Sequence, residues 1–247
     1  MDDNNKVAVV TGGSRGIGRA ICLRLAKEGW SVAVGYAREK LAAEEVVEAI
    51  RAMGRSAIAV QVDVGDPEQI PTLFSQATEA LGPLGLFVAN AGMTGNALRT
   101  DEQTAENLQR LFEVNVIGSM LASGGAVRHL STRHGGNGGT IVLLSSVAAR
   151  LGGLAGQVAY ATTKGAIETF TRGLANEVGP EGIRVVAIAP GLTATDMLPN
   201  EAEAVARATV PLRRVGKASE VADAVAWAAS NAASYITGTT ITVSGGR

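Results

Sequence analysis

Tyr160 and Lys164 stand four residues apart in a segment whose pattern predicts a helix over about 158–179, so their side chains share one face about one turn apart. A lone phenol, with a pKa of ~10, is a poor base at neutral pH, but a neighbouring ammonium stabilises the phenolate and lowers that value. A phenol tuned in this way can give a proton to a carbonyl oxygen as hydride reaches the carbon, and take it back in the reverse direction. Tyr-x-x-x-Lys is a common spacing and is usually a solvated helix face, so its neighbours must decide. Ser145-Ser146 close the apolar run Ile141-Val142-Leu143-Leu144. At the carboxyl end of a parallel strand, where ligands gather, such a hydroxyl can hydrogen-bond a substrate oxygen. Asn90-Ala91-Gly92 and Pro190-Gly191 end the strands predicted before and after it, so three polar or glycine-rich tips face one cleft. His129 and His134 fall on a polar helix end and a glycine turn, which disfavours a serine hydrolase, whose nucleophile needs an oriented base.

A second constellation lies at the start of the chain. Val9-Val10-Thr11-Gly12-Gly13-Ser14-Arg15-Gly16-Ile17-Gly18 sets glycines between a predicted first strand and a helix from about Gly16. Without side chains there, backbone amides can approach a pyrophosphate at the positive end of the helix. The spacing departs from G-x-G-x-x-G and lacks the Gly-Lys-Ser/Thr of a triphosphate loop, which argues against kinase or ATPase chemistry. NAD-binding folds usually carry an acidic residue after the second strand. Here that strand exits through Gly35-Tyr36-Ala37-Arg38, and Arg15 sits in the glycine loop. Two arginines suit a 2′-phosphate that a carboxylate would repel, so NADP is expected over NAD. The plainer reading of Arg38 is a solvated helix-start residue, and the Tyr36 ring could simply pack beside the adenine.

Stepping outward, short β-branched runs alternate with amphipathic helices, the signature of a parallel sheet covered by helices. Strands are predicted at Val7–Val10, Val32–Val34, Ala57–Val62, Leu84–Ala89, Thr140–Leu144, Ile183–Ile188 and Thr240–Val243, with further helices at about 40–53, 67–81, 104–132, 158–179 and 218–230. Their continuously apolar character fits a sheet buried on both faces. The glycine run Gly135-Gly136-Asn137-Gly138-Gly139 reads as a flexible surface turn, and no linker or repeat divides the 247 residues, so one domain over 1–247 is expected.

With 22 basic and 23 acidic residues, the formal charge of −1 offers no global field for nucleic acid or an anionic membrane. The single Cys22 precludes an internal disulfide or a cysteine-rich zinc site, reads as a small buried apolar residue, and fits a reducing cytosol. The polar start Met1-Asp2-Asp3-Asn4-Asn5-Lys6 is unlike a secretory signal, and the uncharged stretch Ala224–Gly246 is too interrupted for a membrane helix. The expectation is a soluble cytoplasmic protein without a metal site.

Taken as an ordered set, Thr11-Gly12-x-x-x-Gly16-x-Gly18, Asp63-Val64, Asn90-Ala91-Gly92, Asn115, Ser146, Tyr160-x-x-x-Lys164 and Pro190-Gly191 resemble the short-chain dehydrogenase/reductase family in its single-domain form, over nearly the whole chain. The resemblance implies an α/β fold with a Rossmann-type, doubly wound parallel sheet of seven strands and helices on both faces, three layers in all. It implies an oxidoreductase in which Tyr160 donates or accepts the proton, Ser146 orients the carbonyl, and Lys164 binds the nicotinamide ribose and lowers the Tyr160 pKa. Asn115 would kink its helix and hold a proton-relaying water. Cofactor contacts would come from Gly12, Ser14, Arg15, Gly16, Ile17 and Gly18, from Tyr36, Ala37 and Arg38, and from Asp63 and Val64 at the adenine. Asn90, Ala91 and Gly92 would line it, with Pro190, Gly191, Thr193 and Thr195 at the nicotinamide end. A homotetramer built on the helices of Asn115 and Tyr160 is also implied.

Within the family the chain looks most like 3-oxoacyl-acyl-carrier-protein reductases and glucose-dehydrogenase-like members, with Tyr235-Ile236-Thr237-Gly238 and Val243-x-Gly245-Gly246 as closing motifs. It departs in having Ala89 before Asn90, and in one extra residue between Ser146 and Tyr160, which alters the loop bordering the substrate. Ser145 remains an alternative to Ser146. A lid over about Thr193–Arg214, mixing Met197, Leu198 and Pro199 with Glu201 and Glu203, suits a small or apolar ketone. Arg213 and Arg214 could attract an acidic carrier protein but more often mark a solvated turn. The competing readings are an NADP-binding sensor without turnover and a sugar-nucleotide epimerase or dehydratase, for whose extra substrate domain these residues leave little room.

Overall fold

The computed structural model describes residues 6–195 and 202–247. Strand β1 (Val7–Val10) leads through the glycine turn into α1 (Gly16–Lys27), followed by β2 (Ser31–Tyr36), α2 (Lys40–Ala52), β3 (Ala57–Gln61), α3 (Ile70–Leu81) and β4 (Leu84–Ala89). After α4 (Ala105–Phe112) and α5 (Ser119–Leu130) come β5 (Gly139–Leu144), the short α6 (Ala148–Leu151), α7 (Val158–Val178) and β6 (Ile183–Pro190). The chain continues through β7 (Thr193–Ala194), α8 (Ala202–Thr209), β8 (Gly216–Lys217), α9 (Ala218–Ala229) and β9 (Thr239–Val243).

Seven strands form one parallel sheet in the order β3-β2-β1-β4-β5-β6-β9, and β7 pairs with β8 beside it. The order reverses between β1 and β4, which opens a crevice at their carboxyl ends. Side chains alternate between two buried faces. Val10, Val88, Val142 and Leu144 pack under α1, α2 and α9, whereas Val9, Phe87, Ile141 and Leu143 pack under α3, α5 and α7. Burying each such side chain contributes about 1.5–3 kcal/mol, so the sheet is held from both sides.

The differences from the sequence reading have local causes. The expected helix over 104–132 is three pieces, because residues Glu113–Gly118 form a wide π turn between α4 and α5. Gly118 seats there against the Val64 carbonyl, a contact that any Cβ would prevent. The segment expected as helix from 67 begins as a 3₁₀ turn, Pro67–Gln69, capped by the Asp66 side chain. The glycine run is not uniformly a flexible surface turn: Gly138 and Gly139 are buried, Gly139 N donates to Gly182 O at 3.0 Å, and a Cβ on Gly138 would strike that carbonyl. Strand β7 and helix α8 lie in the region read as a lid, and β8, which pairs with β7, follows it. Met197, Leu198, Pro199 and Glu201 of that region lie outside the described residues. Cys22 is fully buried, and burial pushes its thiol up.

Candidate active site

Two strand ends are sewn together at the switch point. The Asn90 Nδ2 donates to the carbonyls of Thr11 (2.9 Å) and Gly12 (3.0 Å), while Thr11 Oγ1 accepts the amides of Asn90 (3.0 Å) and Ala91 (3.1 Å). Gly12 has φ +62, and a Cβ there would lie 3.0 Å from Ala91 Cα. A Cβ on Gly18 would run into the Gly12 carbonyl, so α1 can begin tight against the loop only because that residue is glycine. Helix α1 has no side-chain cap at Arg15 and no acid in its first turn. Its amino end therefore presents backbone amides and the positive pole of its dipole to the crevice, a cradle that fits a dinucleotide pyrophosphate.

The rim of this cradle is cationic. Arg15 and Arg38 are both exposed, and Arg15 Nη1 lies 4.0 Å from Glu39 Oε1. Tyr36 is only 6% exposed and belongs to the core under α1 and α2, so its ring is a wall rather than a reaching side chain. Ala37 is exposed, with its carbonyl taking a hydrogen bond from Gln61 Nε2. Ser14 is buried and Ile17 packs on the core beneath the loop. Across the crevice, Thr195 meets Gly16, where a Cβ would lie 3.3 Å from Thr195 Cγ2. Thr193 is buried and donates to the Gly191 carbonyl at 3.0 Å, and Gly191 N is held by Val243 O at 2.9 Å.

The reactive side chains converge where β5 meets α7. Consecutive residues at the end of β5 contact successive positions of the helix. The Leu144 carbonyl accepts Lys164 Nζ at 2.7 Å. Ser145 Oγ is buried 3.2 Å from the Lys164 carbonyl and 3.1 Å from Glu168 Oε1. Ser146 is partly exposed, its hydroxyl beside the Tyr160 phenol and accepting the Ala148 amide at 3.1 Å. The two serines are thereby told apart: Ser145 is a strut between strand and helix, and Ser146 faces the cleft beside Tyr160.

Lys164 Nζ lies 5.8 Å from the centre of the Tyr160 ring. Burial without a carboxylate partner lowers the Lys164 pKa to about 8. From its spacing alone, Lys164 is expected to lower the phenol pKa. In this arrangement burial instead pushes the Tyr160 phenol up, with the Ser146 hydrogen bond drawing it partly back. The ammonium directs a proton to the Leu144 carbonyl rather than to the phenol.

Asn115 is fully buried in the π turn. Its Oδ1 accepts Met93 N at 2.9 Å, and its Nδ2 donates to Met93 O at 2.8 Å and Thr163 Oγ1 at 3.1 Å. Thr163 in turn donates to the Tyr160 carbonyl at 2.7 Å. A Cβ on Gly92 would lie 3.3 Å from Asn115 Oδ1 and 3.6 Å from Lys164 Nζ, so the three share one corner. The kink expected at Asn115 is thus a π turn locked to the loop after β4 and to α7.

Asp63 and Val64 sit at the end of β3, where Asp63 Oδ1 accepts Gly65 N at 2.9 Å and Oδ2 pairs with Arg110 at 2.7 Å. Arg110, Glu168 and Thr163 were not singled out from the sequence. Glu168 lies four residues beyond Lys164 on its face, which is a readable signal, but nothing local marks Arg110. Leu98 N donates to Gly156 O at 3.1 Å, and an open cavity of about 630 Å³ adjoins that contact, bounded by Leu98, Arg99, Ala155 and Val158. Arg214 forks onto Glu220 at 2.6 and 2.8 Å, and the exposed Arg213 takes φ +53 in the turn after α8. No helix among the described residues is long and apolar enough to cross a membrane.

Comparison with known proteins agrees with this architecture. The family model described as short chain dehydrogenase matches residues 6–206. The chain is 42% identical over 246 residues to the uncharacterized oxidoreductase YgfF of Escherichia coli (strain K12), covering 98% of this chain and 99% of that one. It is 38% identical over 246 residues to the 3-oxoacyl-[acyl-carrier-protein] reductase FabG of Staphylococcus aureus, covering 98% and 97%. A short chain dehydrogenase from Burkholderia cenocepacia, solved in complex with NADP, superposes with a TM-score of 0.92 at 38% identity over 99% of both chains. With the fold, the strand-end cleft and end-to-end relatives in agreement, this chain belongs to the short chain dehydrogenase family of oxidoreductases.

Proposed function

We propose that this protein is an NADP-dependent oxidoreductase of a single catalytic domain that reduces a carbonyl to an alcohol, or runs the reverse, with Tyr160 as general acid and base. The observation carrying this reading is the placement of Ser146 beside the Tyr160 phenol at the mouth of the crevice, with Lys164 Nζ 5.8 Å from the centre of the ring. The pyrophosphate would lie on the amino end of α1 at Gly12–Gly18, the 2′-phosphate near Arg15 and Arg38, and the adenine by Asp63 and Val64. Asn90–Gly92 would line the middle, Lys164 the ribose, and Pro190–Thr195 the nicotinamide end.

The nicotinamide, held at the Pro190–Thr195 end, would supply or accept the hydride. Ser146 holds the substrate oxygen, and Tyr160 delivers a proton to it. Because burial raises the phenol pKa, Tyr160 is protonated at neutral pH and is ready to serve as the acid in carbonyl reduction. Lys164 keeps positive charge below the ring at neutral pH, and Asn115 fixes the loop and helix that flank it. The substrate class is a small or apolar ketone, of which 3-oxoacyl thioesters are one candidate by likeness. A homotetramer is supported by the exposed Ile117, Met120 and Leu121 on the Asn115 helix and is checked by light scattering.

The test is NADPH oxidation over ketones, aldehydes, diketones and β-ketoacyl thioesters. Turnover that falls by about 10²-fold or more in Tyr160→Phe is expected. Undiminished turnover in that variant would overturn the mechanism, and saturable NADPH binding with no turnover on any substrate would promote the sensor reading.

A further inference from the structure

Strands β2 and β3 run parallel with Tyr36 opposite Gln61, and Val62 N donates to Tyr36 O at 2.7 Å. Arg38 and Asp63 each lie two residues beyond that pair, so strand ends spaced about 4.8 Å apart bring an exposed cation and a carboxylate side by side. Left alone, Asp63 would pull Arg38 onto itself and repel an anion held beside it.

Arg110 alters that balance. Its Nη2 meets Asp63 Oδ2 at 2.7 Å, while the other oxygen takes the Gly65 amide at 2.9 Å. The contact is built into the packing. The Arg110 guanidinium lies against Gly65, where any Cβ would collide with Nη1 and approach Val114 to 3.0 Å. Gly118, one π turn further along the same helix, seats on the Val64 carbonyl. Burial of Asp63 raises its pKa, but the Gly65 amide, Arg110 and, more weakly, Arg38 together hold it below the usual carboxylate value.

We propose that Arg110 is a specificity-determining residue for the cofactor: by pairing with Asp63 it cancels the carboxylate's charge and leaves Arg38 facing the 2′-phosphate of NADP. The proposal rests on the NADP reading above. Arg110 does not touch the phosphate; it acts through the charge of Asp63. Arg110 also faces Glu113 at 3.8 Å, but Asp63 is the carboxylate beside Arg38, and leaving it uncompensated at the phosphate site by loss of Arg110 is expected to weaken phosphate binding about tenfold. The same loss leaves NADH, which has no 2′-phosphate, nearly unaffected.

The experiment is fluorescence titration of the purified protein with NADPH and with NADH, which needs no substrate. In Arg110→Met the ratio of the NADH Kd to the NADPH Kd is expected to fall about tenfold. Arg110→Lys keeps the charge and should stay within about twofold of wild type, and adding Asp63→Asn to Arg110→Met should restore the ratio. Asp63 would also meet the adenine, but both cofactors carry adenine, so that contribution cancels in the ratio. Equal weakening of both cofactors in Arg110→Met, or a double variant that does not recover, would overturn the proposal while the NADP reading stands. Wild-type protein that binds NADH as tightly as NADPH would overturn both.

Discussion

Lys164 Nζ donates a 2.7 Å hydrogen bond to the carbonyl of Leu144, the last residue of β5, and it does so from a buried position under the Tyr160 ring. The ammonium is therefore held by a neutral backbone group in a low-polarity corner. Its position is fixed by the strand and its charge is held at a cost, and this sets its titration.

The Lys164 pKa is lowered from 10.5 to about 8 on folding. Between those values the unfolded chain binds more protons than the folded one, so this lysine makes stability rise with pH across the window. Below it both states are protonated and the penalty is constant. The unfolding free energy of wild type relative to Lys164→Met should therefore increase by up to about 3 kcal/mol from pH 7.5 to pH 10.5. Urea unfolding at several pH values checks this, and a flat difference would show that Lys164 keeps an ordinary pKa.

The two adjacent serines should separate stability from turnover. Ser145→Ala removes the strut to Lys164 O and Glu168 and is expected to lose about 1–2 kcal/mol of stability with turnover kept within a few-fold. Ser146→Ala should do the opposite, with a small change in Tm and a fall in kcat on the order of 10²-fold. Reversal of the two patterns would reassign the catalytic serine.

Asn115→Ala strands the Met93 amide and carbonyl in a partly buried corner. The expected loss is about 2–4 kcal/mol, with faster amide exchange in the π turn over 113–118. Unchanged Tm and exchange would mean that the loop after β4 is held by other contacts.

Gly18→Ala drives a methyl group into the Gly12 carbonyl and to within 2.5 Å of Asn90 Nδ2. Neither neighbour can give way without opening the stitch between β1 and β4. The variant should weaken NADPH binding by roughly tenfold or more and lower stability by about 1–3 kcal/mol. Normal binding by titration would show that the loop has a second seating for α1.

Much of the fold was legible because its signals are local. Alternating apolar runs marked the seven sheet strands to within one or two residues, as at Leu84–Ala89, since a strand buried on both faces must be apolar throughout. Where a helix carried an irregularity, local periodicity failed. The wide turn at Glu113–Gly118 has ordinary helix formers on both sides and shows itself only when Gly118 meets Val64, a residue from another layer.

The same division runs through the candidate site. Sequence by itself determined the helical spacing of Tyr160 and Lys164, the glycines that let α1 approach a phosphate, and the polar tips that end β1, β4, β5 and β6, because each depends on residues a few positions apart. Only the tertiary structure decided that Ser146 faces Tyr160 while Ser145 braces the helix, and that burial, rather than the nearby ammonium, governs the phenol. It alone joined Asp63 to Arg110, 47 residues away. Hydrogen bonds and charges act across space, and the parallel sheet brings distant strand ends within bonding distance of one another, so which partner each polar group finds is a property of the packed layers and not of the order of residues.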